Sequence, residues 1–240
     1  MPKKKKEQHF RLRAVTAPDP LHDGLKSAAS ILQYSQESSA ALLKAFEMTR
    51  SERGAQRGMT TDEEQDLLRA MLTIAAAGLD AMLKQVIRDT MPVLVQKDHG
   101  VSEELQKFVA REIRGEDVAV QSSSSVKFLA RVLSAPKTQV QVIEEYINEL
   151  TRGSLQSVDE LSRTITALQV DRKDVGIDDK IFKTIFQIRN KIIHEMDIEL
   201  SGTRRKRNLR KAPDMVKYAD SLLSISESIL GKVNEKLLGQ

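Results

Sequence analysis

The clearest pattern of apolar and polar positions in this chain lies between Thr61 and Asp89. Apolar residues recur there at intervals of three and four, which places them on one face of an α-helix. Thr61 and Glu64 have the spacing of a capping box, so the helix is predicted to begin at this point. Pro92 is predicted to end it, because proline lacks the N–H group that a helix interior uses.

The same periodicity predicts helices along most of the remaining sequence. They cover residues 21–50, 102–114, 126–133, 138–151, 155–168 and 178–199, and a last helix is capped by Asp214. The polar stretch Ser35–Ser39 is a candidate break in the first of them. Aromatic residues are only 4% of the chain and Trp is absent, which favours helix over sheet. We therefore predict an all-α helical bundle.

Composition divides the chain into a short arm and one large domain. Residues 1–20 contain three prolines and a lysine run, and are predicted to be a disordered basic arm. The arm sequence Pro2–Lys6 is similar to a nuclear-import signal, and a solvated tail is the alternative. Residues 21–240 are predicted to form a single helical domain, in which residues 90–170 are either a helical insert or part of the same bundle.

Several classes of protein are excluded by what the chain lacks. With no Cys, it has no disulfide, no thiolate zinc site and no cysteine nucleophile. The four His residues form no metal-ligand spacing, and no glycine-rich phosphate loop is present, so neither a metal nor a cofactor is predicted. No apolar run approaches the roughly 20 residues of a membrane span. A soluble, cytoplasmic protein without membrane attachment is expected.

Positive charge is concentrated in two short segments. The net charge is +4, of which residues 1–13 contribute +5 and residues 204–211 contribute +6, so the remainder is mildly acidic. Such local blocks suit a polyanion, although solubility is the simpler explanation. The candidate polyanion-binding residues in the second segment are Arg204, Arg205, Lys206, Arg207, Arg210 and Lys211, which would bind RNA if the resemblance given below holds.

The candidate catalytic residues are Arg189, Asn190 and His194, late in a predicted helix. Asn190 and His194 are four residues apart, so they project about 40° from each other on one face. Arginine binds phosphate through two parallel hydrogen bonds, histidine transfers protons near neutral pH, and asparagine orients either group. This combination suits phosphoryl chemistry without a metal. The neighbouring apolar stripe, expected to hold the helix in the core, is Ile185, Ile188, Ile192 and Ile193.

The stretch from Arg189 to His194 resembles the signature of HEPN domains, in which an Arg, a polar residue, three spacers and a His lie on one helix of an all-α bundle. The resemblance implies a HEPN-like bundle with additional helices. It also implies a metal-independent endoribonuclease, in which the ribose 2′-OH attacks the adjacent phosphate and leaves a 2′,3′-cyclic phosphate. His194 would be the general acid or base, Arg189 would stabilise the phosphorane, and Asn190 would position one of them.

The resemblance also implies partners. In HEPN nucleases an acidic residue on an earlier helix often pairs with the motif arginine, and Asp80 is the first candidate here and Asp89 the second. The alternative is that Asp80 faces water. Because one His cannot supply both an acid and a base, the resemblance implies a homodimer through the motif helix. It further implies a role in defence or as a toxin, with RNA as substrate and an antitoxin or other regulatory protein as partner.

Two other functions fit the same sequence. One is a catalytically silent HEPN-like module that binds RNA, nucleotide or a protein. The other is a helical adaptor that is attached through its basic segments, for which Arg189 and His194 would be dispensable. Some HEPN toxins are silenced by modification of a Tyr two residues after the His. Met196 occupies that position here, so this route of silencing is not expected.

Overall fold

A computed structural model describes residues 10–54, 59–114, 121–199 and 206–239, with only the backbone of residues 121–125. The helices in these ranges are α1 (Lys26–Glu52), α2 (Asp62–Lys97), α3 (His99–Arg114), α4 (Gln121–Ser134), α5 (Thr138–Thr151), α6 (Val158–Ala167), α7 (Asp179–Glu195) and α8 (Ala212–Leu238). A single turn of 3-10 helix, Asp23–Leu25, precedes α1. The described ranges contain no strand, apart from one isolated bridge between Ile198 and Arg207. The all-α prediction is confirmed.

Helix α2 is the central element, packed against α1, α8, α5, α3 and α7. It begins where its capping box predicts. The hydroxyl of Thr61 accepts a hydrogen bond from the backbone N–H of Glu64, and the Glu64 carboxylate accepts one from the N–H of Thr61. Its apolar face is buried along its whole length, from Leu68 to Val95. Burial of this face accounts for most of the favourable free energy that holds the other helices around it.

The prediction that Pro92 ends α2 is wrong, because the helix continues to Lys97. A proline inside a helix costs about 3 kcal/mol. Met91, Leu94 and Val95 next to it are buried, and their burial offsets that cost. An insert starting at residue 90 would therefore begin inside a continuous helix.

The predicted break at Ser35–Ser39 is also absent, since α1 is continuous. Ser35 and Ser39 are buried against α2, and their hydroxyls donate to the carbonyl oxygens of Ile74 at 3.3 Å and Met71 at 3.5 Å. A Cβ atom at Gly78 would lie only 2.0 Å from the Ser35 hydroxyl. The polar residues thus mark a close approach of α1 and α2 and not an interruption.

Helix ends depart from prediction by a few residues elsewhere. Helix α3 starts earlier than Ser102, because the carboxylate of Asp98 accepts a hydrogen bond from the N–H of Val101. Helix α4 starts at Gln121 and so includes the serine run. Asp214 lies in the first turn of α8 and does not cap it. Helix α5 matches its prediction, as does the cap of α6, where Ser157 accepts from the N–H of Glu160.

Residues 10–20 are not a disordered arm. They follow the groove between α1 and α8, and Leu12 is only 4% exposed there. Carboxylates on the two helices accept hydrogen bonds from the backbone of this segment, and apolar burial of Leu12 adds to them, so the segment is held in place. The backbone donors and their acceptors are Phe10 with Glu47, Arg13 with Asp220, and Thr16 with Glu227. Residues 1–9, with the lysine run, lie outside the described residues.

Helices α3–α6 share one apolar core with the rest of the bundle. Helix α5 packs on α2, and Tyr146 on α5 contacts Phe108 on α3 with ring centroids 5.1 Å apart. Burial raises the pKa of Tyr146 to about 12. This packing favours the second of the two sequence-based alternatives for residues 90–170, a part of the same bundle.

Helix α2 is long and apolar enough to cross a membrane by length and composition, and 56% of its most apolar window is buried inside the bundle. The core helix of a soluble protein has the same properties.

Candidate active site

The motif helix α7 is fixed at its beginning and exposed at its end. Asp178 caps it by accepting hydrogen bonds from the N–H groups of Lys180 and Ile181. Phe182 and Phe186 are buried in the core. The predicted apolar stripe follows the same gradient: Ile185 is buried, Ile188 and Ile192 are half-buried, and Ile193 is 41% exposed. The motif residues therefore lie at the accessible end of a well-anchored helix.

Arg189 and Asn190 are brought into direct contact. The Arg189 guanidinium donates a hydrogen bond from Nη1 to the side-chain oxygen of Asn190 at 3.0 Å. Asn190 in turn donates from Nδ2 to the backbone carbonyl oxygen of Gln156 at 3.1 Å. Within the described ranges no carboxylate contacts Arg189. Its positive charge thus remains available to an anion.

His194 lies in the last turn of α7 and is exposed. It makes no hydrogen bond to Arg189 or Asn190 among the described residues, and it follows Asn190 by about one helical turn. Apolar side chains are exposed on the same helix end and on the segment after it. They are Ile193 at 41%, Met196 at 63% and Leu209 at 61% exposure.

The expected pairing of Asp80 with Arg189 is not present. Asp80 accepts a hydrogen bond from Lys84 at 2.8 Å and another from the backbone N–H of Leu155 at 3.0 Å, and its side chain is only 18% exposed. The alternative of a water-facing Asp80 is therefore wrong as well. Asp89, the second candidate, accepts from the side chain of Gln85, its neighbour on α2.

A buried charge cluster lies directly after α7. The helix ends at residue 195 and not at 199, because Met196 and Asp197 adopt left-handed backbone conformations with φ of 51° and 58°. This turn directs Asp197 inward, where its side chain is fully buried. Arg69 donates to it at 2.9 Å, and Arg210 donates to it at 3.0 and 2.5 Å. Asn208 adds a hydrogen bond at 3.1 Å.

The cluster changes the acidity of two carboxyl groups. Burial alone would raise the pKa of Asp197, but hydrogen bonds from Arg210 and Arg69 hold that pKa below its ordinary value. The hydrogen bond from Arg207 lowers the pKa of Asp66 as well. Both carboxylates are therefore stabilised in the charged form, as expected where a guanidinium lies against a carboxylate.

The basic segment contributes less free charge than its sequence suggests. Arg207 pairs with Asp66 at 2.6 Å and Arg210 pairs with Asp197, so the two arginines attach the segment to α2 and to the turn after α7. The expectation that both are free to bind RNA is therefore wrong. Lys206 and Lys211 are exposed. Arg204 and Arg205 lie outside the described residues.

Sequence reasoning missed two features of this region. Asp197 was missed because it is one of three acids at alternate positions, with Glu195 and Glu199, and residue type does not show which of them is buried. The carbonyl of Gln156 was missed because a backbone acceptor has no signature in residue type. Among the described residues, no group of three or more His, Asp or Glu side chains is arranged to hold a metal.

Comparisons with protein-family models, curated proteins and solved structures found no match for this chain. The resemblance to HEPN domains is therefore carried by the motif residues themselves.

Proposed function

We propose that this protein is a metal-independent endoribonuclease of HEPN type. The observation that carries the proposal is the state of Arg189. Its guanidinium is held by a neutral amide, that of Asn190, at the accessible end of α7, and no carboxylate neutralises it within the described ranges. His194 is exposed, about one turn after Asn190 and five residues after Arg189. A phosphate can thus reach a cation and a proton-transfer group on one rigid element.

The reaction is an internal transfer within RNA. The ribose 2′-oxygen attacks the adjacent phosphorus, a base removes the 2′-OH proton, and the bond from phosphorus to the 5′-oxygen breaks as an acid protonates that oxygen. The products are a 2′,3′-cyclic phosphate and a 5′-OH end. His194 acts as the base or the acid. Arg189 stabilises the negative charge of the phosphorane, and Asn190 holds Arg189 in place.

The second proton-transfer group comes from a second copy of this chain in our proposal. One His194 per chain supplies only an acid or a base. If the end of α7 faces the same end in another copy, two histidines come to one phosphate. The exposed Ile193, Met196 and Leu209 beside it are side chains that such an interface would cover. Lys191 and Glu195 on the same helix end carry opposite charges, which suits the self-complementary contact of a two-fold dimer.

The RNA backbone would contact the basic segment next to this site. Lys206 and Lys211 are exposed there, and Arg204 and Arg205 belong to the same run in the sequence. Lysine and arginine contacts to phosphate give affinity without base specificity. An RNase of this kind fits a toxin or antiviral defence role, in which an antitoxin or another regulatory protein restrains it.

The proposal is tested by incubating purified full-length protein with cellular RNA in excess EDTA, and by comparing it with His194→Ala. We expect cleavage that survives EDTA, leaves 2′,3′-cyclic ends and is lost in the variant. His99→Ala is the matched control, since His99 is 88% exposed on α3, and it should cleave normally.

Two results would contradict the nuclease proposal: cleavage that EDTA abolishes, and cleavage that His194→Ala leaves intact. RNA binding without any cleavage by the folded dimer would instead favour the silent HEPN-like module.

A further inference from the structure

Three hydrogen bonds connect α2 to the motif through the turn between α5 and α6. Asp80 on α2 accepts from the N–H of Leu155 at 3.0 Å. The carbonyl oxygen of the next residue, Gln156, accepts from the side chain of Asn190 at 3.1 Å. Asn190 then accepts from Arg189 at 3.0 Å. Elements far apart in sequence thus meet in one series that ends at the motif arginine.

The turn is well suited to such a connection. Helix α5 ends at Thr151 and α6 starts at Val158, so the backbone groups of Leu155 and Gln156 lie outside both helices and can bond to side chains. Leu155 is only 8% exposed, so its side chain anchors the turn in the core. Asp80 itself is held by Lys84 at 2.8 Å. The bond from Lys84 goes to Oδ2 and the bond from Leu155 goes to Oδ1, so the two contacts of Asp80 are separate.

Asn190 uses both ends of its amide, one toward the turn and one toward Arg189. Donation from Nδ2 to Gln156 leaves the amide oxygen facing the guanidinium, so the orientation of the amide is set by the turn. A rotated amide would present its NH₂ group to Arg189, and two donors cannot bond. The position of the Arg189 guanidinium thus depends on a backbone carbonyl supplied by another part of the chain.

We propose that the Ser154–Gln156 turn, anchored by Asp80, positions Asn190 and through it Arg189 for stabilisation of the phosphorane. The effect of this positioning on catalysis rests on the proposed ribonuclease activity. The hydrogen-bond series itself can be tested without any activity. Asp80 acts through the turn and is a positioning residue. It touches neither Arg189 nor substrate.

The first test measures the Asn190 side-chain amide by ¹H–¹⁵N NMR of the full chain in Asp80 variants. Asp80→Ala removes the acceptor for Leu155, and the Asn190 amide signals should move toward those of a free amide. Asp80→Asn keeps an acceptor oxygen and should restore them. Lys84→Gln is the matched control, because it removes only the ion pair. Unchanged Asn190 signals in folded Asp80→Ala would overturn the proposal.

A second variant tests the series from its other end and does not depend on the folding of Asp80→Ala. Asn190→Asp removes the donor to Gln156 and gives Arg189 a carboxylate, so the backbone amide signals of Leu155 and Gln156 should shift. If these signals stay in place, the turn is independent of the motif and the proposal fails.

The kinetics of RNA cleavage measure the effect of this positioning on catalysis. Loss of one positioning hydrogen bond should lower kcat by about tenfold in Asp80→Ala with KM nearly unchanged, and Asp80→Asn should recover most of kcat. A rise in KM at constant kcat would contradict the role in positioning Arg189. If wild type cleaves no RNA, the ribonuclease proposal fails, while the NMR shifts still decide whether the turn positions Asn190.

Discussion

The accessible end of α7 and the buried cluster directly after it use the same kinds of side chain in opposite ways. In the first, Arg189 is held by the amide of Asn190 and remains without a carboxylate among the described residues. In the second, Arg69 and Arg210 converge on Asp197, which is fully buried, and Asn208 completes the set. Arginine and asparagine thus occur in both regions, which adjoin at the end of α7.

The difference lies in burial and in the partner of each guanidinium. A buried carboxylate between two arginines has its charge compensated inside the protein. Breaking such a pair leaves an uncompensated charge there. A guanidinium held only by an amide keeps its net charge and its affinity for anions. A run of basic residues such as 204–211 therefore cannot be taken as a ligand-binding surface until the partner of each residue is known.

The largest effect is expected for Asp197→Ala. Removing the carboxylate leaves Arg69 and Arg210 without their buried partner, which should lower the free energy of unfolding by about 3–5 kcal/mol. Urea denaturation measures this. Asp66→Ala is the control, because Asp66 is 53% exposed and its pairs should contribute about 1 kcal/mol or less. Equal losses in the two variants would remove the distinction between the buried and the exposed pair.

Arg189→Lys should lower RNA cleavage and leave the stability of the protein nearly unchanged. Lysine keeps the charge but loses the planar fork that binds phosphate, so single-turnover cleavage should fall by about ten- to a hundredfold. The free energy of unfolding should change by less than about 0.5 kcal/mol. Arg88→Lys, an exposed arginine on α2, should alter neither quantity. A destabilised Arg189→Lys protein would mean that this arginine, too, belongs to the fold.

The buried cluster should also show in the pH dependence of stability. The pKa of Asp197 is lowered in the folded state, so its contribution is present above the unfolded value of about 4. That contribution is lost as the pH falls through the lower pKa of the folded state. Thermal unfolding between neutral pH and pH 2 should therefore show a steeper acid decline for wild type than for Asp197→Asn. Parallel curves would contradict this assignment.

The smallest effect is expected for the exposed lysines of the basic segment. The double variant Lys206→Gln with Lys211→Gln should reduce the slope of log affinity against log salt by about 1.4 for single-stranded RNA. Fluorescence anisotropy over a salt series measures this slope, and stability should not change. The matched control is the pair Lys180→Gln with Lys183→Gln, exposed at the other end of α7. A larger reduction of this slope in the control pair would place the RNA elsewhere on the protein.

Features that depend on nearby residues could be predicted from the sequence by itself. They include the all-α class, the capping box at Thr61, the limits of α5, the Ser157 cap and the helical placement of Arg189 to His194. Helical periodicity and capping act over three or four residues, so the information needed is local.

Features that depend on what lies opposite a residue were decided only by the tertiary structure. Ser35 lies in a continuous helix because α2 accepts its hydroxyl, and Pro92 is tolerated because its neighbours are buried. Asp80 binds the α5–α6 turn instead of Arg189, and Arg210 binds Asp197 instead of remaining free. Each outcome depends on a partner more than ten residues away or on core burial. The energies of burial and charge pairing depend on distance in space, which local sequence patterns do not contain.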